Sequence, residues 1–476
     1  MRMRVTILSF LTTCLILLHS EAKPPNIILV MADDQGYGDM GYTGHPFLKT
    51  PNFDAMAKES IVFDRFYAAA PVCSPTRASV MTGRTPMRTN VLNHGHYLRP
   101  HEFTIAEALK KSGYHTSHFG KWHIGSIQKG SPTSPGGQGF DEWLTALNFY
   151  DIDPYLSNKG TYKQYKGQGT ILTMDAAINF LKKNAHGEKP LFTVIWFPSP
   201  HDPHRESSSK PELYQNKKAK GYFQEIALVD EQMGRLRKSL RDLDIHKNTI
   251  LWYCSDNGGL LKESSGGRGK KGSIYEGGLR IPAILEWPAK LKHQKISIPA
   301  STSDIFPTLL EFADIQSDSK IPLDGITLKP IITGTVKKRS NPIGFWHKYT
   351  TGQTTWSDQI IKTLMNAQQS GKPTPYPERI LKNVNKFPTR PPLPNGSYPG
   401  HAALIDWPYK IHVINAPKKE IRYELYNLDK DPMETTNLSK KEPGIFNKMK
   451  ISINTWQASV ISSLEGKDYP NKKSKN

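Results

Sequence analysis

The sequence predicts an α/β fold: a large, mainly parallel central sheet flanked by helices, then a smaller C-terminal α+β domain with a short antiparallel sheet. Three observations predict it. Short apolar runs alternate with stretches of helical period between Lys23 and about Ser340. Four of those runs end in chargeable residues, as strands do when a site lies beyond their carboxyl ends. Past residue 400, "YKIHVI" and "IRYELYNL" alternate as strands, and "EPGIFNKMKISINTWQASVISSL" reads as a closing helix.

The chain opens on "MRMRVTILSFLTTCLILLHSEA". Arg2 and Arg4 give a basic start, Val5 to Leu18 an apolar stretch, and Ser20-Glu21-Ala22 a small-x-small cleavage site, the pattern of a secretory signal over residues 1–22. The apolar stretch is too short for a membrane span and continues past Cys14, against a lipoprotein. The expectation is an exported protein, periplasmic or secreted, without a membrane anchor. A catalytic domain then runs over residues 23–340 and a C-terminal subdomain over 341–476, with a Pro-, Gly- and Lys-rich insertion near 349–400. The formal charge of +20 comes from scattered lysines rather than a stripe. Such a balance suits nucleic acid, an anionic envelope or an acidic polysaccharide; the blander reading is a solvated surface.

Four runs carry the chemistry. "NIILVMADD" ends in Asp33 and Asp34; "GYHTSHFGKWHIG" ends in Lys121 and His123. "PLFTVIWFPSPHDPH" leads to His201 and His204, and "NTILWYCSDNGG" to Asp256 and Asn257. Singly, each ending is an ordinary turn or cap. If the strands are parallel, all four converge on one edge. Three carboxylates and an amide oxygen are hard ligands that suit calcium or magnesium better than zinc. A cation also explains why adjacent Asp33 and Asp34 are tolerated together.

"PVCSPTRASVMTGR" holds Cys73, one of three cysteines. Cys14 lies in the signal, and Cys254 reads as a small buried strand residue. Ser74 and Pro75 suit a cap and first turn, and "TRASVMTG" a short helix stopped by Gly83. A helix start offers free N–H groups to a tetrahedral anion, with Arg77 one turn in. A thiolate nucleophile is the first guess there. A hard, oxygen-ligated cation argues for an oxygen nucleophile instead.

These residues resemble the formylglycine-dependent sulfatases. Their signature of cysteine, any residue, Pro, a small residue and Arg, then Thr-Gly, is matched by "CSPTRASVMTG", with Thr76 where Ser is commoner. "GYHTSHFGKWH" matches the second signature except at Phe119, where a smaller residue is usual. "MADDQGYGD", "PSPHDPH", "SDNGG" and "GKKGSIYEGGLRIP" follow in order, and "YELYNLDKDPMETTNL" looks like the closing segment. The resemblance implies an alkaline phosphatase-like sheet and oxidation of Cys73 to formylglycine by a generating enzyme. The aldehyde hydrates, one hydroxyl attacks sulfur, and the other ejects sulfate. By motif position it implies that Asp33, Asp34, Asp256, Asn257 and the modified Cys73 hold calcium, or else magnesium. Arg77 and Lys121 then steady the diol, His123 is the base and His201 the acid. Lys271, rather than Lys270, binds a sulfate oxygen, counting back from Tyr275 and Glu276.

A basic, exported sulfatase points to a sulfated carbohydrate as its partner, with no nucleic acid expected. The candidate walls are "NHGHYLRPHEF", with His94, His96, Arg99 and His101, and the insertion with His347 nearby; His204 is a further contact. The lack of a disulfide framework favours a bacterial source over an animal lysosome, and Asn395 and Asn437 start glycosylation-like triplets too common to decide it. Two alternatives stand beside this reading. One is a phosphodiesterase or phosphonate monoester hydrolase of the same superfamily. The other is a non-catalytic binder of sulfated polysaccharide, which leaves the acid, base and metal set unexplained.

Overall fold

A computed structural model describes residues 23–317, 319–373, 387 and 398–469. The signal segment, Asn395 and the centre of the 349–400 insertion lie outside the described residues. In chain order the strands are β1 (Asn26–Ala32), β2 (Ile61–Phe63), β3 (Phe66–Tyr67), β4 (His115–Lys121), β5 (Glu142–Ala146), β6 (Tyr155–Asn158), β7 (Thr161–Gln164), β8 (Leu191–Trp196) and β9 (Thr249–Ser255). They continue as β10 (Arg280–Ile281), β11 (Ala283–Glu286), β12 (Gln294–Ile296), β13 (Ala300–Ser301), β14 (Ile343–His347), β15 (Gly400–Asp406), β16 (Tyr409–Asn415) and β17 (Arg422–Asn427).

Ten of them form one sheet in the order β12–β2–β11–β9–β1–β8–β4–β5–β6–β7. The middle, β9 to β5, is parallel throughout. The margins are not: β11 runs antiparallel between β9 and β2, and β6 and β7 close the other side as antiparallel strands. The sheet is therefore mixed, with its parallel part where the sequence placed the chemistry.

β1 shows why the central runs are apolar at every position. Ile27, Leu29 and Met31 enter one core, with Ala78, Val80 and Met81 of the helix Cys73–Thr82 and Leu309 of the helix Ile305–Phe312. Ile28, Val30 and Ala32 enter the other, with Met174 and Leu181 of the helix Gly169–Asn184 and Val229, Met233 and Leu236 of the helix Lys220–Asp242. Covered on both faces, a strand has no side left for polar alternation. Each fully buried aliphatic side chain contributes about 1.5–3 kcal/mol, which fixes register as well as stability: a one-residue slip would exchange the two cores.

β1, β4, β8 and β9 end on the same edge. Ala32 sits opposite Ser255, and Gly120 opposite Trp196. Gly120 has φ 106, and a Cβ there would lie 1.9 Å from the Trp196 carbonyl oxygen, so the strand before Lys121 accepts glycine alone.

The C-terminal sheet runs β14–β15–β16–β17, antiparallel throughout. One face, with Leu404, Ile411 and Val413, packs on the closing helix Pro443–Leu464. The other face, with Ala403, Ile405 and Tyr426, packs on Tyr67, Ile274 and Leu279 of the larger domain. Lys410 and His412, which alternate with Ile411 and Val413, are consequently buried between domains instead of facing water. Among the described residues no helix is long and apolar enough to cross a membrane.

Candidate active site

The ends of β1 and β9 are tied together by backbone amides. The Asp256 amide donates to the Ala32 carbonyl at 3.2 Å, the Asp34 amide to Asp256 Oδ1 at 3.1 Å, and the Asp33 amide to the Ser199 carbonyl at 3.0 Å. Asp33, Asp34, Asp256 and Asn257 are all fully buried. Asp34 takes a left-handed backbone at φ 77, as does His123 at φ 57. Such conformations persist in non-glycine residues only where the surroundings over-determine them.

Three cations close on the three carboxylates. Lys121 Nζ lies 2.7 Å from Asp33 Oδ2, Lys271 Nζ 2.6 Å from Asp34 Oδ2, and Arg77 Nη2 2.6 Å from Asp256 Oδ2. Arg77 also donates to the Lys121 carbonyl at 3.2 Å. Lys271, not the exposed Lys270, enters the cluster. Burial opposes the charge of Asp33, yet Lys121, His201 and Arg77 hold its carboxyl well below the ordinary range. Burial and the neighbouring Asp33 charge push Asp256 up. Burial likewise opposes the charge of Lys271, but Asp34 keeps it protonated.

The donor set fits a hard divalent cation. Asp33 Oδ1 and Asn257 Oδ1 are buried without a hydrogen-bond partner, although Asn257 Nδ2 donates to Asp34 Oδ1 at 2.7 Å. Buried acceptors are normally satisfied; here two carbonyl-type oxygens from different strand ends are left over. Ligand atoms of Asp33, Cys73 and Asp256 lie within 4.8 Å of one another, as do those of Asp33, Asp34 and His201. Three carboxylates against Arg77, Lys121 and Lys271 balance in charge, so a divalent cation would leave the cluster net positive toward an anion.

Cys73 is the first residue of the helix Cys73–Thr82, all ten residues of which are buried. The helix begins earlier than the capping pattern predicts. Ser74 lies inside it and accepts the Gly95 amide at 2.9 Å, while Gly83 at φ 68 ends it. Burial pushes the Cys73 thiol up against the opposing pull of Lys121, which disfavours a thiolate. Cys254 sits in the core as a strand residue, and both cysteines are free.

Two histidines flank the cluster in different surroundings. Both ring nitrogens of His123 are buried without a partner, and burial, Lys121 and Arg77 hold its pKa well below the ordinary value. Those causes favour its neutral form. His201 is partly exposed; its Nδ1 lies 2.7 Å from the Asp202 carbonyl and its Nε2 3.7 Å from Asp34 Oδ2. Phe149, just past β5, stacks on the His201 ring with centroids 4.9 Å apart. Sequence reasoning missed Phe149, because an aromatic after a strand reads as core; its place on the shared strand edge was the available signal.

The rim residues are scattered. His96 Nε2 meets the Thr351 carbonyl at 3.1 Å, Asn93 donates to the Thr350 carbonyl at 2.8 Å, and the Gln353 amide donates to the His94 carbonyl at 2.9 Å. The start of the insertion thus lies against the His94–His96 loop. His347 is buried at the end of β14, its Nδ1 without a partner, and burial, Lys348 and His94 lower its pKa to about 4. His204 turns back on its own loop, with Nε2 3.0 Å from the Pro200 carbonyl. Arg99 corrects the expectation of a substrate contact. It is fully buried, donates to the Leu464 carbonyl at 2.6 Å and the Arg88 carbonyl at 3.2 Å, and stacks over Phe387. It ties the end of the closing helix to the larger domain.

A sulfatase family profile matches residues 25–315. The chain is 32% identical over 352 residues to N-acetylgalactosamine-6-sulfatase of Homo sapiens, covering 65% of this chain and 66% of that protein. To the ulvan-active sulfatase of Formosa agariphila it is 31% identical over 333 residues, covering 65% and 64% respectively. These matches span just under two thirds of the relatives' own length. The fold is similar to the crystal structure of Ps i-CgsB in complex with k-i-k-neocarrahexaose, at a TM-score of 0.74 and 23% identity over 93% of this chain and 98% of that one.

Arg99→Ala should lower unfolding stability by roughly 2–4 kcal/mol, since it leaves helix-end carbonyls buried without their charged donor. Urea denaturation checks this. An unchanged midpoint would return Arg99 to the list of surface contacts.

Proposed function

The chain belongs to the sulfatase family, and we propose that it hydrolyses sulfate esters of a carbohydrate outside the cytoplasm. Cys73 is matured to formylglycine by a generating enzyme, and calcium, or magnesium in its place, is held by Asp33, Asp34, Asp256, Asn257 and the modified Cys73. The observation that carries this reading is one cluster: Cys73 at a buried helix start, beside two unsatisfied hard oxygens, two buried cations and the partly exposed Lys271. The relatives named for N-acetylgalactosamine 6-sulfate and for ulvan support a carbohydrate ester. The basic start and apolar stretch before Lys23 support export.

The formylglycine hydrate supplies an oxygen nucleophile that a thiol is not, and the cation supplies charge against the sulfate oxygens. The chain's own residues do the rest. Arg77, Lys121 and Lys271 are preplaced positive charge, the first two fully buried, against the charge that grows on sulfate as the ester bond breaks. His123, neutral and with free nitrogens, takes a proton. His201 gives one. With Nδ1–H directed to the Asp202 carbonyl, Nε2 is the nitrogen that carries the transferable proton, and loss of that proton leaves the tautomer the carbonyl already favours. His347 and the His94–His96 loop line the side from which a sugar enters.

The deciding experiment is release of sulfate from defined sulfated oligosaccharides, with mass spectrometry of the Cys73 peptide from the same active protein. The expected result is turnover together with aldehyde or its hydrate in place of the thiol. Full activity with an intact thiol, or faster turnover of phosphate than sulfate esters, would overturn it.

Stripping divalent cations should abolish turnover, with calcium or magnesium restoring it better than zinc. In Asp256→Ala, retention of the cation should fall, measured by equilibrium dialysis. Full activity in metal-free protein would remove the cation from the site.

His201→Ala should depend on the leaving group. A sugar hydroxyl needs a proton as it departs; a nitrophenol leaves as its anion. The loss should be about 100- to 10,000-fold on a carbohydrate sulfate and far smaller on an activated aryl sulfate. His204→Ala should show no such split. Equal losses on both substrates in His201→Ala would make His201 a sulfate ligand instead of an acid.

A further inference from the structure

Lys271 sits on a loop that the C-terminal sheet holds at both ends. Before it, Arg268 Nη1 donates to the Glu434 carbonyl at 2.9 Å and to Tyr426 Oη at 3.2 Å, with its guanidinium 3.8 Å over the Tyr275 ring. After it, the Glu276 amide donates to Glu434 Oε2 at 2.7 Å. The middle is fastened to the active site itself: the Lys271 amide donates to the Gly259 carbonyl at 3.1 Å, and the Gly272 amide to the Pro71 carbonyl at 2.8 Å. Pro71 lies two residues before Cys73.

Glu434 is the common partner of both ends. It is fully buried and holds a left-handed backbone at φ 52. Its Oε1 is 3.1 Å from Lys410 Nζ and 2.9 Å from His412 Nε2. Lys410, also fully buried, reaches Glu276 Oε1 at 3.0 Å, and Tyr67 donates to Glu276 Oε2 at 2.9 Å. Stability is a poor reason for such a group. Burying a lysine between two carboxylates costs desolvation that an apolar cluster of equal volume would avoid. What charges give and apolar packing does not is a fixed direction for each bond.

We propose that Glu434 is a positioning residue for Lys271, acting through Arg268, Lys410 and Glu276 to set the reach of the Lys271 ammonium into the active site. The assignment rests on the sulfatase reading in that Lys271 is taken to meet the sulfate group. The C-terminal sheet is then part of the catalytic apparatus although it contributes no atom to the reacting centre.

Glu434→Gln keeps shape and one acceptor oxygen but removes the charge. It should lower kcat/KM on an aryl sulfate and on a carbohydrate sulfate by the same factor, up to about 100-fold, the scale of a misplaced catalytic group. Introduced into Lys271→Ala, it should cost little further, because residues acting as a unit are not additive. Arg268→Met, at a partly exposed site, should behave alike and guards against a Glu434 variant that folds poorly. Losses of equal size with and without Lys271 would overturn the assignment. Amide hydrogen exchange gives a readout free of turnover: Lys271 and Gly272 should exchange faster in Glu434→Gln while β1 keeps its protection. Unchanged exchange at those amides would also overturn it. Wild-type protein that releases no sulfate would defeat the function proposed above, and the exchange measurement would still decide the brace.

Discussion

Three buried carboxylates meet three cations at the ends of β1, β4 and β9, Arg77 and Lys121 fully buried and Lys271 partly exposed, and the rest of the fold is arranged around keeping them there. None of the five fully buried groups could be dehydrated alone at tolerable cost. Paired at 2.6–2.7 Å the six charges balance, but two oxygens, Asp33 Oδ1 and Asn257 Oδ1, stay unsatisfied. A site that is neutral without its cation and positive with it can fold first and attract an anionic ester afterwards.

The sheet supplies what the cluster requires. Parallel strands with both faces covered hold their carboxyl ends to a common edge, since any slip in register would trade one core for the other. The backbone ties of Asp256 to Ala32 and of Asp33 to Ser199, with the Asp34 amide on the Asp256 carboxylate, carry that precision past the last strand residue. Left-handed backbone at Asp34 and His123 is tolerable only against such a rigid support.

Much of this was legible in the sequence because strand ends are local signals. "MADD", "GKWH" and "CSDN" name their own position, and parallel pairing does the gathering. Arg99 and Phe149 show where legibility stops. A basic residue in a polar loop reads as a surface contact, and nothing local shows that its guanidinium turns inward to the carbonyls of a helix more than 360 residues later. Lys410 and His412 mark the same limit. Alternation in "YKIHVI" correctly predicts a strand, but whether the polar face meets water or another domain depends on tertiary docking. The mixed margins of the sheet were hidden for the same reason: the direction of a short edge strand is set by its connections, not its residues.

The site draws on residues spread from Asp33 to Glu434, and that spread has a consequence for the newborn chain. Asp33 and Cys73 emerge early in synthesis, but β9, which brings Asp256, and the C-terminal sheet follow much later. For the interval between, the helix beginning at Cys73 lacks its covering partners, and its thiol is open to other proteins. Once the chain is complete that access ends, because Cys73 is buried on every side. A protein that must reach the Cys73 thiol has to do so before the fold closes over it.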